Sequence, residues 1–210
     1  MKQILILFLL TAGIFPAGGQ IYVPGEELFY TVSYRAKLVP NTEVATVVVH
    51  TSEVELEGRT VYNVFGRGKT MPTFRWFFSL DDRYNIWVDT ATLRTVRFTS
   101  DINEGSYTFR SQYDYDWPAR RVMTRWQRRT LPEKQKEMAL TDVSMDAVSL
   151  FFNMRSTDAA SFRVGEQRVL QMVLEDTIRH LRYRFEGREV KKIRNVGKFR
   201  TLKFACQIGT

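Results

Sequence analysis

The chain has 210 residues, of which 44% are hydrophobic and 13% aromatic, and its formal net charge is +8 at pH 7. This length allows one large domain or two small ones, and the composition is that of a globular protein, which excludes an intrinsically disordered chain. Cys206 is the only cysteine, which excludes an internal disulfide bond.

The first element in chain order is a targeting segment. Lys2 is followed by an apolar run over 4–15 and then by small residues over 17–19, which is the pattern of a secretory signal peptide. The apolar run is shorter than the roughly 20 residues that a membrane-spanning helix needs, and a proline interrupts it. We therefore expect a cleaved signal peptide over 1–19, export across the inner membrane, and a mature chain that is not integral to the membrane.

The rest of the chain alternates apolar and polar residues with a period of two, which is typical of half-buried β-strands. The alternation predicts strands over 28–36, 43–56, 60–67, 83–88, 94–100, 106–115, 121–129, 167–175, 177–185, 188–194 and 198–207. Turns are predicted at Pro40–Asn41, Glu57–Gly58 and Glu186–Gly187. The segment 71–78 is predicted to be one helical turn or a loop, and 131–137 a charged loop.

One helix is predicted, over Met145–Met154, because apolar residues follow helical spacing there and Asp142 or Ser144 can cap its N-terminus. Strands joined by short turns tend to pair with their neighbours in sequence. We therefore expect a mainly β fold in a single domain over 20–210. Its core would be a large curved antiparallel sheet, or a β-barrel or half-barrel, with one helix inserted at about 145–155.

The sequence patterns of the common catalytic and metal sites do not occur in this chain. His50 and His180 lie far apart, and there is no HExxH motif, cysteine pair, Gly-x-Ser-x-Gly elbow or phosphate-binding glycine loop. Several aspartates are available for the paired carboxylates of a glycoside hydrolase, although most of them fall in predicted turns. We therefore expect no metal, no cofactor and no catalytic residue, and a protein that is not an enzyme.

A group of aromatic residues is the first candidate site. Phe74, Trp76, Phe78, Tyr84 and Trp87 fall within a short span, and aromatic side chains beside a curved sheet can line a cavity for an apolar ligand. The alternative is that they fill the core of a β protein.

Basic residues supply the second candidate site. They are densest between Arg120 and Lys136, where Arg121, Arg125 and Arg129 follow the period of one predicted strand. They are either solvated side chains or a face that binds anions, such as lipid head groups or an acidic protein. Export argues against nucleic acid as the partner.

Three motifs occur in a fixed order along the mature chain. They are Pro24-Gly25-Glu26-Glu27-Leu28 with Tyr30, Val32 and Tyr34, then Tyr84 with Val88-Asp89 and Thr92-Leu93, and finally 146–151 with Met154-Arg155. Together they resemble the exported bacterial proteins grouped as domain of unknown function 3108. The resemblance implies a periplasmic or outer-envelope protein of a Gram-negative bacterium, with antiparallel β-architecture and no established activity or catalytic residue. Members of that family usually continue past the strand that resembles Lys198–Gln207, so a chain truncated at its C-terminus is among our expectations.

Three hypotheses for the function follow from the sequence. The leading one is a non-enzymatic binding protein for an apolar or amphipathic envelope ligand such as a lipid. The second is an envelope structural or assembly protein that contacts a protein partner or anionic lipid, and the third is a cell-wall glycan hydrolase. A deep apolar pocket would favour the first, a filled core with a charged surface the second, and two carboxylates facing each other across a cleft the third.

Overall fold

The structure is a computed structural model that describes residues 20–36, 39–156, 158–193 and 197–208. The predicted signal peptide, 1–19, lies outside the described residues. The described chain falls into two compact units, one over Tyr22–Thr141 and one that begins at Asp142. The organisation as a single domain therefore stays a prediction.

The first unit is an antiparallel sheet of eight strands that follow one another in chain order. The strands are β1 (Glu27–Ala36), β2 (Val39–Leu56), β3 (Arg59–Thr70), β4 (Asp81–Asp89), β5 (Thr95–Glu104), β6 (Tyr107–Asp116), β7 (Arg121–Arg128) and β8 (Lys134–Ala139). Strands β1 and β8 are the two edges, so among the described strands the sheet is open and does not close into a barrel. The predicted mainly β fold with a large antiparallel sheet is confirmed.

The two faces of this sheet differ in polarity. On one face Val64, Ile86 and Val88 are fully buried, and the rings of Phe98 and Tyr113 stack with their centroids 4.8 Å apart across β5 and β6. Because side chains alternate between the two faces of a strand, the intervening polar residues lie on the opposite face. We call these the apolar face and the polar face, and the apolar face supplies the core of the unit.

The turn after β2 follows directly from its sequence. Glu57 and Gly58 both have positive φ, 52° and 76°, which is the conformation of a two-residue type I′ hairpin turn. Glycine adopts this conformation without strain. The turn predicted at this position is confirmed.

Two segments of the first unit differ from the sequence prediction. Pro40–Asn41 lies within β2 and is not a turn, because the fixed φ of proline is compatible with extended backbone near the start of a strand. The predicted charged loop 131–137 overlaps β8, which pairs with β7. Strand β8 is polar and mostly exposed, so it lacks the alternation by which strands are recognised; charged edge strands of this kind resist pairing with other chains.

The second unit combines a four-stranded sheet with one α-helix. Its elements are β9 (Ser144–Met145), α1 (Ala147–Ser156), β10 (Gln167–Val173), β11 (Ile178–Ile193) and β12 (Gly197–Ile208). Strand β9 pairs in parallel with β10, and β10, β11 and β12 are antiparallel neighbours. Within the described ranges, no helix has the length and apolarity required to cross a membrane.

The turn predicted at Glu186–Gly187 is instead a β-bulge inside β11. The pairing of β11 with β12 shifts register between Phe185 and Gly187, and Gly187 has a φ of 139°. A bulge interrupts the apolar–polar alternation as a turn does. The two strands predicted on either side are therefore one strand.

The predicted helix is confirmed two residues further along the chain, with a different cap. The Asp146 carboxylate, which is fully buried, accepts hydrogen bonds from the backbone N–H groups of Val148 at 2.9 Å and Ser149 at 2.8 Å. Asp146 is thus the N-cap, where the sequence prediction had Asp142 or Ser144. Aspartate in this position satisfies backbone donors that the first turn of a helix leaves without partners.

Replacing Asp146 with alanine should lower the free energy of unfolding by about 1–2 kcal/mol, the usual contribution of an N-cap side chain. Asp146→Asn keeps an oxygen acceptor and should recover most of the loss, as measured by urea unfolding. Asp158→Ala is a matched control, because Asp158 caps an exposed 3-10 turn through Ala160 at 2.9 Å and should cost less. Equal stability of the alanine and asparagine variants at position 146 would contradict the capping role.

Candidate functional site

A cavity of about 540 Å³ opens on the polar face of the large sheet, and we call it the polar groove. The volume falls within the range of roughly 300–1,000 Å³ that is usual for ligand sites. The polar face lines it with Phe65, Arg83, Asn85, Thr99, Asp101, Arg110, Gln112, Arg125 and Gln127, and the connection between β7 and β8 adds Glu133.

Strand pairing explains why these side chains meet. Two rows of directly paired residues cross strands β4 to β7. The first row consists of Arg83, Asp101, Arg110 and Gln127. The second row consists of Asn85, Thr99, Gln112 and Arg125. Residues two apart on a strand share a face, so both rows lie on the polar face and form one continuous surface.

Three arginines give the groove its positive charge, and they differ in how tightly they are paired. Arg125 contacts Asp114, which also accepts a 2.6 Å hydrogen bond from Nε of Arg97. The Arg110 side chain is 74% exposed, and its Nε lies 3.5 Å from an oxygen of Asp101. Ion pairs as exposed as this one contribute little to stability, so a bound anion could replace Asp101 as the partner of Arg110 at low cost.

Arg83 is the most loosely paired of the three. Its Nε is 3.9 Å from Asp81, and that carboxylate is already held by Nε and Nη2 of Arg67 at 2.7 and 2.6 Å. Hydrogen bonding from Arg67 holds the pKa of Asp81 below its usual value. A guanidinium carries five N–H donors. Arg83 therefore has donors to offer a ligand in the groove.

Amide and hydroxyl groups supply the neutral part of the lining. The Asn85 carbonyl oxygen accepts a 2.7 Å hydrogen bond from Asn63, and Gln112 donates to Asp114 at 2.9 Å. Gln127 donates to the backbone oxygen of Leu131 at 3.0 Å and so fixes the connection between β7 and β8. These bonds hold the lining in place before a ligand arrives, which reduces the entropy lost on binding.

An apolar stripe borders the groove on the same face. Phe29 on β1 pairs with Val48 on β2, and Phe65, which lies diagonally next to Val48, pairs with Asn85 of the groove. Phe29 and Phe65 are both exposed. The stripe of Phe29, Val48 and Phe65 therefore gives the polar face an apolar area next to its arginines.

A pair of carboxyl groups comes together on the apolar face. Asp82 is only 7% exposed, and burial raises its pKa to about 6, with smaller contributions from the charges of Glu104 and Asp81 and from a hydrogen bond with Glu104. The backbone N–H of Asn103, which donates to Asp82 at 2.9 Å, opposes the increase. Burial and the same two acidic groups, Asp82 and Glu104, raise the pKa of Tyr84 to about 12.

The structure does not bring the five aromatic candidates into one cavity. Phe74, Trp76 and Phe78 lie in the connection between β3 and β4, where Trp76 and Phe78 are exposed. Tyr84 and Trp87 are three residues apart on β4 and therefore lie on opposite faces of the sheet. Tyr84 lies on the apolar face, two residues from Ile86, although it is also among the residues that border the polar groove. Contact of these five residues with a ligand stays a prediction.

The three arginines predicted to form an anion-binding face have different surroundings. Arg125 lines the polar groove. Arg121 lies 3.5 Å from both Asp116 and Glu137. Arg129 follows β7 with a φ of 52°, and its guanidinium lies over the ring of Tyr107 at 5.9 Å. Anion binding by these arginines also stays a prediction.

Sequence reasoning missed the part of the groove that β4 and β5 supply. Arg83 and Asn85 alternate with buried residues on β4, as Thr99 and Asp101 do on β5. This alternation indicated a polar face on both strands. The missing information was the register of strand pairing, which sets these four residues beside Arg110 and Gln112 of β6.

Metal-ligating side chains are scattered through the described part of the chain. Within the described ranges, no three His, Cys, Asp or Glu side chains lie close enough together to hold a metal ion. The lining of the polar groove is suited to hydrogen bonding and charge pairing with an organic ligand.

Comparison with known proteins gives one relationship. No curated protein and no solved structure matches the chain. The family model described as protein of unknown function (DUF3108) matches residues 30–210, which extends from β1 through β12. The chain therefore belongs to the DUF3108 family.

Proposed function

We propose that this protein is a non-enzymatic binding protein of the Gram-negative envelope, exported to the periplasm or the outer envelope. It recognises the anionic head group of an amphipathic envelope molecule such as a lipid. The observation that carries this proposal is the polar groove, in which Arg83, Arg110 and Arg125 stand among amide side chains beside an exposed apolar stripe.

The chemistry of the lining supports an anionic head group. Arginine presents its N–H donors in a planar fork that matches the oxygens of a phosphate or carboxylate. The neighbouring amides of Asn85 and Gln112 can donate to and accept from hydroxyl groups of the same ligand. The apolar stripe offers a place for part of an acyl chain outside the groove.

The packing of the large sheet favours recognition at the surface over enclosure of an apolar ligand. The side chains on the apolar face are packed into the core, with Val64, Ile86 and Val88 fully buried. The groove lies on the opposite, charged face and is polar. We therefore narrow the leading hypothesis from an apolar or amphipathic ligand to an amphipathic one.

An envelope structural or assembly role through an acidic protein partner is the second candidate. The exposed ion pairs of the polar face favour it, because Arg110 and Arg83 could exchange Asp101 and Asp81 for carboxylates of a partner. The carboxyl pair of Asp82 and Glu104 lies on the apolar face and not in the polar groove, which does not favour a glycan hydrolase.

The double variant Arg83→Gln/Arg110→Gln should bind an anionic amphiphile at least about tenfold more weakly, because each charge-assisted hydrogen bond contributes about 1.5–3 kcal/mol. The probe is dodecyl phosphate below its critical micelle concentration, and the measurement is isothermal titration calorimetry. The neutral dodecyl maltoside should bind more weakly than dodecyl phosphate to the wild type.

Arg182→Gln is the matched control for charge, since Arg182 is an exposed arginine on β11 in the second unit. It should bind dodecyl phosphate as the wild type does. Equal affinity of the wild type and the double variant would contradict the proposal. Binding of an acidic peptide but not of dodecyl phosphate would support the second candidate.

A further inference from the structure

The connection between β3 and β4 exposes three successive aromatic side chains, and we call residues 71–80 the aromatic loop. Trp76 is 85% exposed, Phe77 78% and Phe78 47%. Single exposed apolar residues are common on protein surfaces, whereas a contiguous group of large ones marks an interaction site. None of these three side chains lines the polar groove, so the loop is a separate feature of the first unit.

The aromatic loop has a defined backbone conformation. Within it, Phe74 N–H donates to Met71 at 2.9 Å, and the N–H groups of Phe77 and Phe78 donate to the Phe74 carbonyl at 3.1 and 3.0 Å. Its two ends are joined where Thr70 N–H donates to Leu80 O at 3.0 Å. The loop therefore holds its aromatic side chains outward in advance, and little conformational entropy would be lost when they bind.

The charge of the loop restricts what it can contact. Between residues 71 and 80 the only charged residue is Arg75, which is exposed, and there is no aspartate or glutamate. Tryptophan concentrates at the boundary between lipid and water, phenylalanine is favourable within the acyl region, and arginine reaches toward anionic head groups. The loop has no carboxylate that anionic head groups would repel or that insertion would bury. Its composition therefore matches the interface of a bilayer that contains anionic lipid.

We propose that the aromatic loop inserts Trp76 and Phe77 into the interfacial region of an anionic bilayer, with Arg75 at the level of the head groups. The rings of Trp76 and Phe77 contact edge to face, with centroids 5.9 Å apart, so they enter as one unit. A single loop of this size gives weak, reversible attachment. The insertion does not depend on the polar groove, and it places the protein at a membrane surface whether or not the groove is occupied.

The test uses vesicles of phosphatidylcholine alone and of phosphatidylcholine mixed with phosphatidylglycerol. The wild type should cosediment with the mixed vesicles more strongly than with the neutral ones. Trp76→Ser/Phe77→Ser should lower the partition coefficient at least about tenfold, because burying one large apolar side chain is worth about 1.5–3 kcal/mol. Both side chains are exposed in the folded protein, so the melting temperature of the variant should equal that of the wild type.

Depth of insertion gives a second readout. Lipids brominated on the acyl chain should quench part of the tryptophan fluorescence of the wild type. The chain has four tryptophans, so Trp76→Phe identifies the one that is quenched: this variant should remain bound while the quenching is lost. Val164→Ser is the matched control for an exposed apolar residue in the second unit and should partition as the wild type does.

Three results would overturn the proposal. The first is a wild type that binds neither kind of vesicle. The second is undiminished binding by Trp76→Ser/Phe77→Ser, and the third is an equal loss in Val164→Ser. A self-associated wild type that becomes monomeric in Trp76→Ser/Phe77→Ser without binding vesicles would assign the loop to a second copy of the chain. Binding of dodecyl phosphate to the polar groove is measured in a separate experiment, so ligand binding by the groove and membrane insertion by the loop can each be refuted without the other.

Discussion

Phe185→Ala should lower the free energy of unfolding of the second unit by about 3–5 kcal/mol, the usual cost of truncating a fully buried phenylalanine. Phe185 is the most buried member of a hydrophobic cluster in that unit, whose other buried members are Phe162, Leu170 and Tyr183. Its ring lies 5.4 Å from that of Phe162 and 5.3 Å from that of Phe204. The substitution leaves a cavity beside the β-bulge of β11, and a cavity of this kind adds to the lost burial of the ring.

Hydrogen exchange measures this loss element by element. The amides of β10, β11 and β12 should exchange faster in Phe185→Ala, with the change greatest around the bulge. Val190→Ala on the same strand is the control, because Val190 is exposed and its truncation should change stability by less than about 0.5 kcal/mol. Protection of β10–β12 that is unchanged in Phe185→Ala would show that the phenylalanine cluster does not stabilise the unit.

Asp82→Asn should make the first unit more stable above pH 6 but not below pH 4. The pKa of Asp82 is raised from 3.8 to about 6 in the folded protein, so the folded state binds this proton more tightly than the unfolded state does. The stabilisation that the protonated carboxyl provides is therefore complete below about pH 4 and is lost as the pH rises through 6. A pKa unit corresponds to about 1.4 kcal/mol, so the loss amounts to about 2–3 kcal/mol.

Asparagine reproduces the protonated form at every pH. Its amide can donate to Glu104 and accept from the backbone N–H of Asn103, the two partners of Asp82. The measurement is urea unfolding of both proteins from pH 4 to pH 8, and the difference in unfolding free energy should grow with pH. Asp82→Ala, which leaves Asn103 N–H without its acceptor, should be less stable than asparagine throughout. A difference that is independent of pH would contradict the raised pKa.

Local sequence patterns were sufficient for most strands of the large sheet. On β6 the alternation of Phe109, Tyr113 and Tyr115 with polar residues gave both the strand and its buried face, and Glu57–Gly58 gave the hairpin turn. Such features depend on residues adjacent in the chain. Strand β8 was missed because most of its side chains are exposed, so its extended conformation is determined by pairing with β7.

The candidate site depended more on tertiary structure than the strands did. Arg83, Asp101 and Arg110 come from three strands, and only the register of pairing places them in one row. The aromatic residues were prominent in the sequence, yet composition does not distinguish a ring that packs in a core from one that a turn holds outward. Tyr84 is half-buried on the apolar face, whereas Trp76 is exposed in the connection between β3 and β4, although the two residues are only eight positions apart. The β-bulge at Gly187 was likewise predicted as a turn, because a bulge and a turn both interrupt the alternation of apolar and polar residues.

The chain-order arrangement of the large sheet has a consequence for how the molecule is assembled. Every strand from β2 to β7 pairs with the strands just before and just after it, so each hairpin can form as soon as its second strand is available. No strand of this sheet has to wait for a partner from a distant part of the chain, which keeps the sequence separation of its contacts low for an all-β structure and favours rapid folding. A chain that becomes available from its N-terminus onward, as during synthesis, can therefore build this sheet progressively. At each stage, the strand added last would form the unpaired edge on the growing side of the sheet, and aggregation through strand pairing could begin on that side only there.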